Sequence, residues 1–122
     1  MTIEMIDFPS IFTKEQIQFI GERVAESAQE VCGEKLRDVI LFGSYARGDF
    51  EEWSDVDIMV LADADDMGCK AINADIDDKL SELTYHMNLL LSTIVTPYSR
   101  FMRMKDAYPF YRNVHTEGVR LC

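Results

Sequence analysis

The sequence has few basic residues and no long apolar run, and both shortages narrow the range of partners. Only 12 of the 122 residues are Lys or Arg, against 22 Asp or Glu, which gives a formal net charge of −10. Because a phosphate backbone is bound mainly through Lys and Arg, this balance argues against direct nucleic acid binding and is compatible with a basic protein partner. The longest apolar runs, such as Ile58–Ala62, fall far short of the roughly 20 residues of a membrane span, so no membrane segment is expected.

Cysteine is also scarce. Cys32, Cys69 and Cys122 are odd in number, widely spaced and never arranged as C-x-x-C, so neither a disulfide framework nor a zinc site is expected. The first ten residues contain acids and no basic cluster, which is not the pattern of a signal peptide. These observations together predict a protein of the reducing cytoplasm.

Length and hydrophobic periodicity predict one domain over residues 1–122 with an α+β fold, in which helices pack on a mixed sheet. The third predicted strand is nearly all apolar, which predicts burial on both of its faces. The predicted elements are a helix opened by a capping box at Thr13 and stopped at Gly33, a strand Leu36–Phe42, a short helix Ser44–Gly48, a strand Ser54–Leu61, a helix Cys69–Tyr85, a strand Asn88–Val95, a helix Pro97–Ala107, a turn or short helix Pro109–His115 and an edge strand Gly118–Leu121.

Two carboxylates, Asp55 and Asp57, lie one residue apart at the start of the second predicted strand. Side chains alternate along a strand, so both acids point to one face while Val56 and Ile58 point to the core. Their Cα atoms lie roughly 6.5–7 Å apart, a separation at which two carboxylates can hold one or two Mg²⁺ ions shared with substrate phosphates. Two such ions could stabilise the entering and leaving oxygens of a displacement at phosphorus.

A candidate phosphate seat precedes these acids. Gly43 allows the backbone to approach a ligand closely, and Ser44 offers its amide and hydroxyl at the start of a short helix. Arg47 lies three residues further on, on the same helical face as Ser44, where it could neutralise an outer phosphate. A Gly-Ser turn or an Asp-x-Asp pair alone is common, but Gly-Ser-x10-Asp-x-Asp between two apolar strands is rare by composition.

The segments Gly43-Ser44-Tyr45-Ala46-Arg47-Gly48 and Ser54-Asp55-Val56-Asp57 resemble the motifs of the minimal nucleotidyltransferases, small members of the DNA polymerase β superfamily. The resemblance is specific over about residues 36–61, and the tail around residues 110–119 also looks like that group. It implies a polymerase β-like fold, with Asp55 and Asp57 as catalytic Mg²⁺ ligands and Gly43 and Ser44 as contacts of the triphosphate.

The same resemblance implies a reaction and a partner. Superfamily members transfer a nucleoside monophosphate to a hydroxyl acceptor, and the transfer expected here is of AMP from Mg-ATP. Small members resembling this chain are often antitoxins that adenylylate a tyrosine of a HEPN-domain ribonuclease, so a HEPN-domain partner is expected.

One departure from the family pattern leaves the activity open. Superfamily enzymes usually carry a third carboxylate on the next strand, and the segment Asn88–Val95 has none. Asn88 and Ser92 are its polar candidates, and the resemblance favours Asn88 as a third metal ligand, although an amide cannot act as a base. Two alternatives therefore remain: a nucleotide-binding, partner-masking module with little catalysis, and a small-molecule transferase of the antibiotic-modifying type that works as a homodimer.

Overall fold

Helices and strands alternate along residues 11–121, the part of the chain that the computed structural model describes. The order confirms the α+β prediction. In chain order the elements are α1 (Lys14–Cys32), a 3-10 turn (Gly33–Lys35), β1 (Leu36–Phe42), α2 (Ser44–Arg47), β2 (Val56–Ala62), α3 (Asp66–Lys79), α4 (Ser81–Met87), β3 (Leu91–Pro97), α5 (Tyr98–Met104), α6 (Pro109–Glu117) and β4 (Val119–Arg120).

The four strands form one mixed sheet in the order β3-β2-β1-β4. β1 runs antiparallel to β2 and β4, whereas β2 and β3 are parallel. The register places Asp57 of β2 between Phe42 of β1 and Ser92 of β3. The end of β1, the start of β2 and the start of β3 therefore meet at one end of the sheet.

Alternation along the strands divides the apolar residues between two cores. The larger core lies on the side of α1 and α3, where Val56, Ile58 and Val60 are completely buried. The smaller core lies on the opposite face, where Met59 and Leu61 pack with residues of α5 and α6. Because Asp55 and Asp57 have the same parity as Met59, their side chains belong to the α5–α6 face, opposite Val56 and Ile58.

α1 confirms its predicted start. The Oγ1 of Thr13 accepts a hydrogen bond from the backbone N–H of Gln16 at 3.1 Å, and the Gln16 Oε1 accepts from the Thr13 backbone at 2.8 Å. These two bonds satisfy amides that the helix itself leaves unpaired. Every helix within residues 11–121 is too short or too polar to traverse a bilayer.

Several boundaries differ from the sequence predictions. The helix predicted over residues 69–85 is instead two helices, because Leu80 leaves helical geometry between α3 and α4. The first of them, α3, also starts earlier than predicted, after an Asp65 cap whose side chain accepts the Gly68 N–H at 2.8 Å. The strand predicted at Asn88–Val95 begins only at Leu91. Asn88 has a positive φ of 49°, a conformation that ends α4 and cannot continue into a strand.

The predicted burial of the third strand on both faces was also wrong. β3 is an edge strand, and Ile94 keeps 36% of its surface exposed. Apolar composition alone cannot separate a central strand from an edge strand that is covered on one face only. The predictions for residues 1–10 and Cys122 lie outside the described residues.

Candidate active site

The loop between β1 and α2 is a tight turn built on Gly43. Its φ of 77° and ψ of −157° belong to a region that is essentially restricted to glycine. The Gly43 carbonyl accepts hydrogen bonds from the backbone N–H groups of Ala46 at 3.1 Å and Arg47 at 3.0 Å. The sequence therefore folds here into a single short helical turn whose first residue is Ser44.

Gly43 also makes a close contact that no other residue would permit. A Cβ atom added to it would overlap the Oδ2 of Asp57 and lie 3.2 Å from the Cγ of that carboxylate. The phosphate-seat prediction at Gly43 and the metal-ligand prediction at Asp57 thus concern two groups in direct contact. Only a backbone without a side chain leaves room for the carboxylate at this point.

Asp55 and Asp57 are placed by the turn that precedes β2. The Ser54 hydroxyl accepts the backbone N–H of Glu51 at 2.8 Å, and the Ser54 N–H donates to the Glu51 carbonyl at 3.1 Å. This turn delays the strand to Val56, two residues later than predicted, so Asp55 immediately precedes β2 and Asp57 lies within it.

The charges of the pair disfavour each other. The pKa of Asp57 is raised mainly because burial penalises its charged form, then because the Asp55 charge repels it, while Arg47 acts in the lowering direction. A bound cation would offset both the cost of burying the Asp57 charge and its repulsion by Asp55. No group of three or more His, Cys, Asp or Glu side chains within residues 11–121 could hold a metal. Two carboxylates nevertheless suit Mg²⁺, which completes its shell with water and substrate phosphate oxygens.

Arg47 faces the same space and is oriented by acids on both sides. Its Nε lies 3.1 Å from the Oδ2 of Asp49, and its Nη1 lies 3.7 Å from the Oε1 of Glu117 at the end of α6. The Arg47 side chain is about 41% exposed and lines the pocket, so it is accessible to a ligand. Glu117 therefore connects α6 to the predicted phosphate seat.

A pocket of about 400 Å³ contains all of these groups. The five residues predicted as catalytic or nucleotide-binding line it together, whereas the contribution of α6 was not predicted. Its walls are Phe42, Gly43, Ser44, Arg47, Ser54, Asp55, Asp57, Phe110, Asn113, Val114 and Glu117.

The α6 wall is the part that sequence reasoning missed. Phe110, Asn113 and Glu117 recur at the three- and four-residue spacing of one helical face, which is the signal that could have identified them. The Phe110 ring packs edge-on against Phe42 at 5.7 Å between centroids. A helical face predicts a contact, but which part of the sheet it contacts is decided by the tertiary fold.

β4 holds α6 in this position. Gly118 joins them, and a Cβ at this glycine would overlap the Val114 carbonyl oxygen and the Cγ2 of Ile40. β4 pairs with β1, and the Arg120 Nη2 lies 2.8 Å from the Oδ2 of the buried Asp38. The pocket wall on α6 is therefore fixed by a two-residue strand.

The two candidates for the missing third acid have different positions. Asn88 caps α4 and is not among the residues that line the pocket. Ser92 is the direct neighbour of Asp57 in the parallel register and lies on the same face of the sheet. The predicted role of Asn88 as a metal ligand remains a prediction, and the register places Ser92, rather than Asn88, beside Asp57.

Comparisons with known proteins agree with this geometry. A family model described as a nucleotidyltransferase domain matches residues 24–108. A protein of Methanocaldococcus jannaschii named as a candidate protein adenylyltransferase is 35% identical over 85 residues, which are 69% of this chain and 76% of that one.

Two solved structures share the fold. A toxin–antitoxin structure with AMP-PNP aligns over 83% of this chain and 72% of its own, with a TM-score of 0.50 and 23% identity. A candidate nucleotidyltransferase from Sulfolobus solfataricus aligns over 87% of this chain and 83% of its own, with a TM-score of 0.51 and 19% identity. Since the family model spans more than half of the sequence, this chain belongs to the nucleotidyltransferase domain family and is a transferase, as its motifs predicted.

Proposed function

We propose that the chain transfers AMP from Mg-ATP to a tyrosine hydroxyl of a partner protein, and that this partner is a HEPN-domain toxin. The observation that carries the proposal is the single pocket that Gly43, Ser44 and Arg47 line together with Asp55 and Asp57. Such a pocket combines cationic and hydrogen-bonding groups for phosphates with adjacent carboxylates for a metal.

The predicted site residues would have different roles in the reaction. Asp55 and Asp57 would hold Mg²⁺, which when bound neutralises phosphate charge and orients the α-phosphate. The backbone at Gly43 and the Ser44 hydroxyl would donate to outer phosphate oxygens, and Arg47 would balance the charge of the departing pyrophosphate. Catalysis then consists of positioning and charge neutralisation, with little covalent work by the protein.

The proposed step forms one bond and breaks one. The acceptor oxygen bonds to the α-phosphorus, the bond from that phosphorus to the bridging oxygen breaks, and pyrophosphate leaves with the bond's electron pair. The acceptor proton passes to solvent, because β3 has no carboxylate to take it. A phenol suits this arrangement, since its pKa near 10 makes it a far better unassisted nucleophile than an aliphatic alcohol.

Three observations support a protein acceptor. The Methanocaldococcus jannaschii relative is named for transfer to proteins. The motifs resemble those of the antitoxin-type minimal nucleotidyltransferases. The net charge of −10 is complementary to a basic, RNA-cleaving partner.

The test is transfer of label from α-³²P-ATP with Mg²⁺, with and without a candidate HEPN-domain protein. Label on a partner tyrosine, lost in Asp57→Asn and kept in the matched exposed control Asp75→Asn, is the expected result. Label on an added aminoglycoside and not on protein would replace the proposal with the small-molecule alternative. Full activity of Asp57→Asn would refute the metal assignment.

The absence of an acid from β3 favours one second candidate, a nucleotide-binding module that masks its partner without modifying it. This module would bind ATP and the partner tightly but leave both unlabelled. Calorimetric ATP binding without any transfer over hours would establish it.

A further inference from the structure

A second groove, of about 530 Å³, borders the candidate active site along β3. Asp55 lines both cavities, so the groove opens toward the acids of the pocket. Its apolar wall includes Leu80, Leu90 and Leu91, and Asp77 of α3 lies on its rim. A group seated in this groove can therefore approach the metal-binding acids from the side opposite α6.

The groove runs along an open sheet edge. The Val56 N–H donates to the Leu90 carbonyl at 2.8 Å, so the backbone of Leu90 faces β2. Because backbone groups alternate in direction along a strand, those of Leu91 and Thr93 face outward. Within the described residues no strand lies on that side of β3.

The open part of the edge has a defined limit. The Val95 N–H, which also faces outward, donates to the Asn73 Oδ1 at 3.0 Å, and the Asn73 Nδ2 donates to the Asp77 Oδ2 at 3.2 Å. An incoming strand can pair at Leu91 and Thr93, but Asn73 already occupies the next position.

A buried polar atom in the groove has no partner among the described residues. The Thr93 Oγ1 is fully enclosed and makes no hydrogen bond there. Because this atom is enclosed, a segment in the groove cannot reach it, and pairing at the edge would use the outward-facing backbone groups of Leu91 and Thr93 instead.

The chemistry of the groove specifies that group. Leu90 is 47% exposed and offers a flat apolar surface to an aromatic ring. Asp77 is an exposed carboxylate on the rim and Asp55 lies toward the pocket, so the surface complements a segment that carries positive charge. Main-chain pairing at an edge supplies affinity, and the side-chain contacts supply specificity.

We infer that this groove is the acceptor subsite: an extended, tyrosine-bearing segment of the partner protein adds to the β3 edge, with its ring on Leu90, its hydroxyl directed past Asp55 and a Lys or Arg on Asp77. The inference rests on the proposed function for the acceptor's identity. It adds the surface that recognises the acceptor and a residue, Asp77, that selects the flanking charge.

The first test measures binding to the full chain. The probe is a ten-residue peptide with a central tyrosine and two flanking lysines, and the comparison peptide has glutamates in place of the lysines. The lysine peptide is expected to perturb the backbone amide NMR signals of Leu91 and Thr93. Asp77→Lys should weaken its binding at least tenfold, since it reverses a charge-assisted contact.

The matched control is Asp75→Lys, which makes the same charge change on the exposed surface of the same helix, outside the groove. It should change the affinity by less than twofold. Equal losses in both variants, perturbations confined to another surface, or no binding at millimolar peptide would each overturn the inference. Leu90→Asp, at a half-exposed position, should also abolish binding without unfolding the chain.

The second test separates this inference from the proposed function. With α-³²P-ATP, Asp77→Lys should raise the KM for the peptide or partner acceptor while the KM for ATP stays unchanged. Transfer that proceeds with an unaltered acceptor KM refutes the groove assignment alone. Peptide binding at β3 with no transfer to any tyrosine refutes the proposed reaction but leaves the docking surface established.

Discussion

The substitution Gly43→Ala tests the contact on which the candidate site depends. The alanine methyl group would occupy the space of the Asp57 Oδ2, and the backbone would have to keep its φ of 77° and ψ of −157° with a side chain attached. That backbone region costs a non-glycine residue about 1–3 kcal/mol. Moving the carboxylate or the loop to relieve the overlap adds about 1–3 kcal/mol, as in other overpacked sites.

Gly48→Ala is the matched control. Gly48 also has a positive φ, 88°, but no atom lies within 4 Å of an added Cβ. Its expected cost is the left-handed penalty alone, about 1–2 kcal/mol. The difference in unfolding free energy between the two variants therefore combines the contact with Asp57 and the less accessible backbone region of Gly43.

Urea unfolding and AMP transfer give the two readouts. Gly43→Ala should lower the unfolding free energy by about 2–6 kcal/mol, which most domains of typical stability, about 5–15 kcal/mol, can survive. Transfer by the folded fraction should fall at least about 100-fold, because a misplacement of about 1 Å at reacting groups has that effect. Gly48→Ala should stay within a few-fold of the parent. The reasoning fails if Gly43→Ala retains activity, or if both variants lose stability equally.

Three further substitutions follow from the same contacts. The pKa of Asp57 is raised in the folded chain, so its ionised form disfavours folding at pH values above that pKa. Asp57→Asn should then be more stable than the parent at pH 7 in urea unfolding with EDTA, yet inactive, and a loss of stability would contradict this. Glu117→Gln should raise the KM for ATP about 3–10-fold, because Arg47 loses one of the acids that orient it. The free energy of unfolding should change by less than about 0.5 kcal/mol because the pair is exposed. An unchanged KM would show that Glu117 does not contribute to the site. Tyr45→Phe removes the hydroxyl that accepts a buried backbone hydrogen bond at 3.1 Å, and it should lower the free energy of unfolding by about 1–3 kcal/mol without altering the KM for ATP. Thermal or urea unfolding and steady-state kinetics measure these two effects.

Features coded within a few residues were predictable from the sequence. Thr13 and Gln16 form the predicted capping box because each partner lies three residues from the other. The shared face of Asp55 and Asp57 follows from strand alternation, and the turn at Gly43 follows from the freedom of glycine. These signals placed five candidate residues in one pocket.

Features that depend on distant packing were not predictable. Nothing near residue 117 in the sequence indicates that Glu117 lies 3.7 Å from Arg47, because the path of α6 across the sheet is set by the smaller core. The predicted start of β3 was wrong because the sequence does not show that Asn88 adopts a left-handed conformation and ends α4. The position of β3 at the edge depends on the order of strands, which an apolar run does not encode.

The pairing of β4 with β1 gives the segment 118–121 an influence out of proportion to its size. It contains none of the residues assigned to metal or phosphate, yet Gly118 and the Leu121 N–H, which donates to the Val39 carbonyl at 2.7 Å, anchor the helix that closes one side of the pocket. Removing these four residues would leave both aspartates and the glycine turn in place while freeing α6 to drift from Phe42. A loss of nucleotide affinity in a chain without these residues would then result from the displacement of α6, and it should not be taken as evidence that a ligand-binding residue was removed.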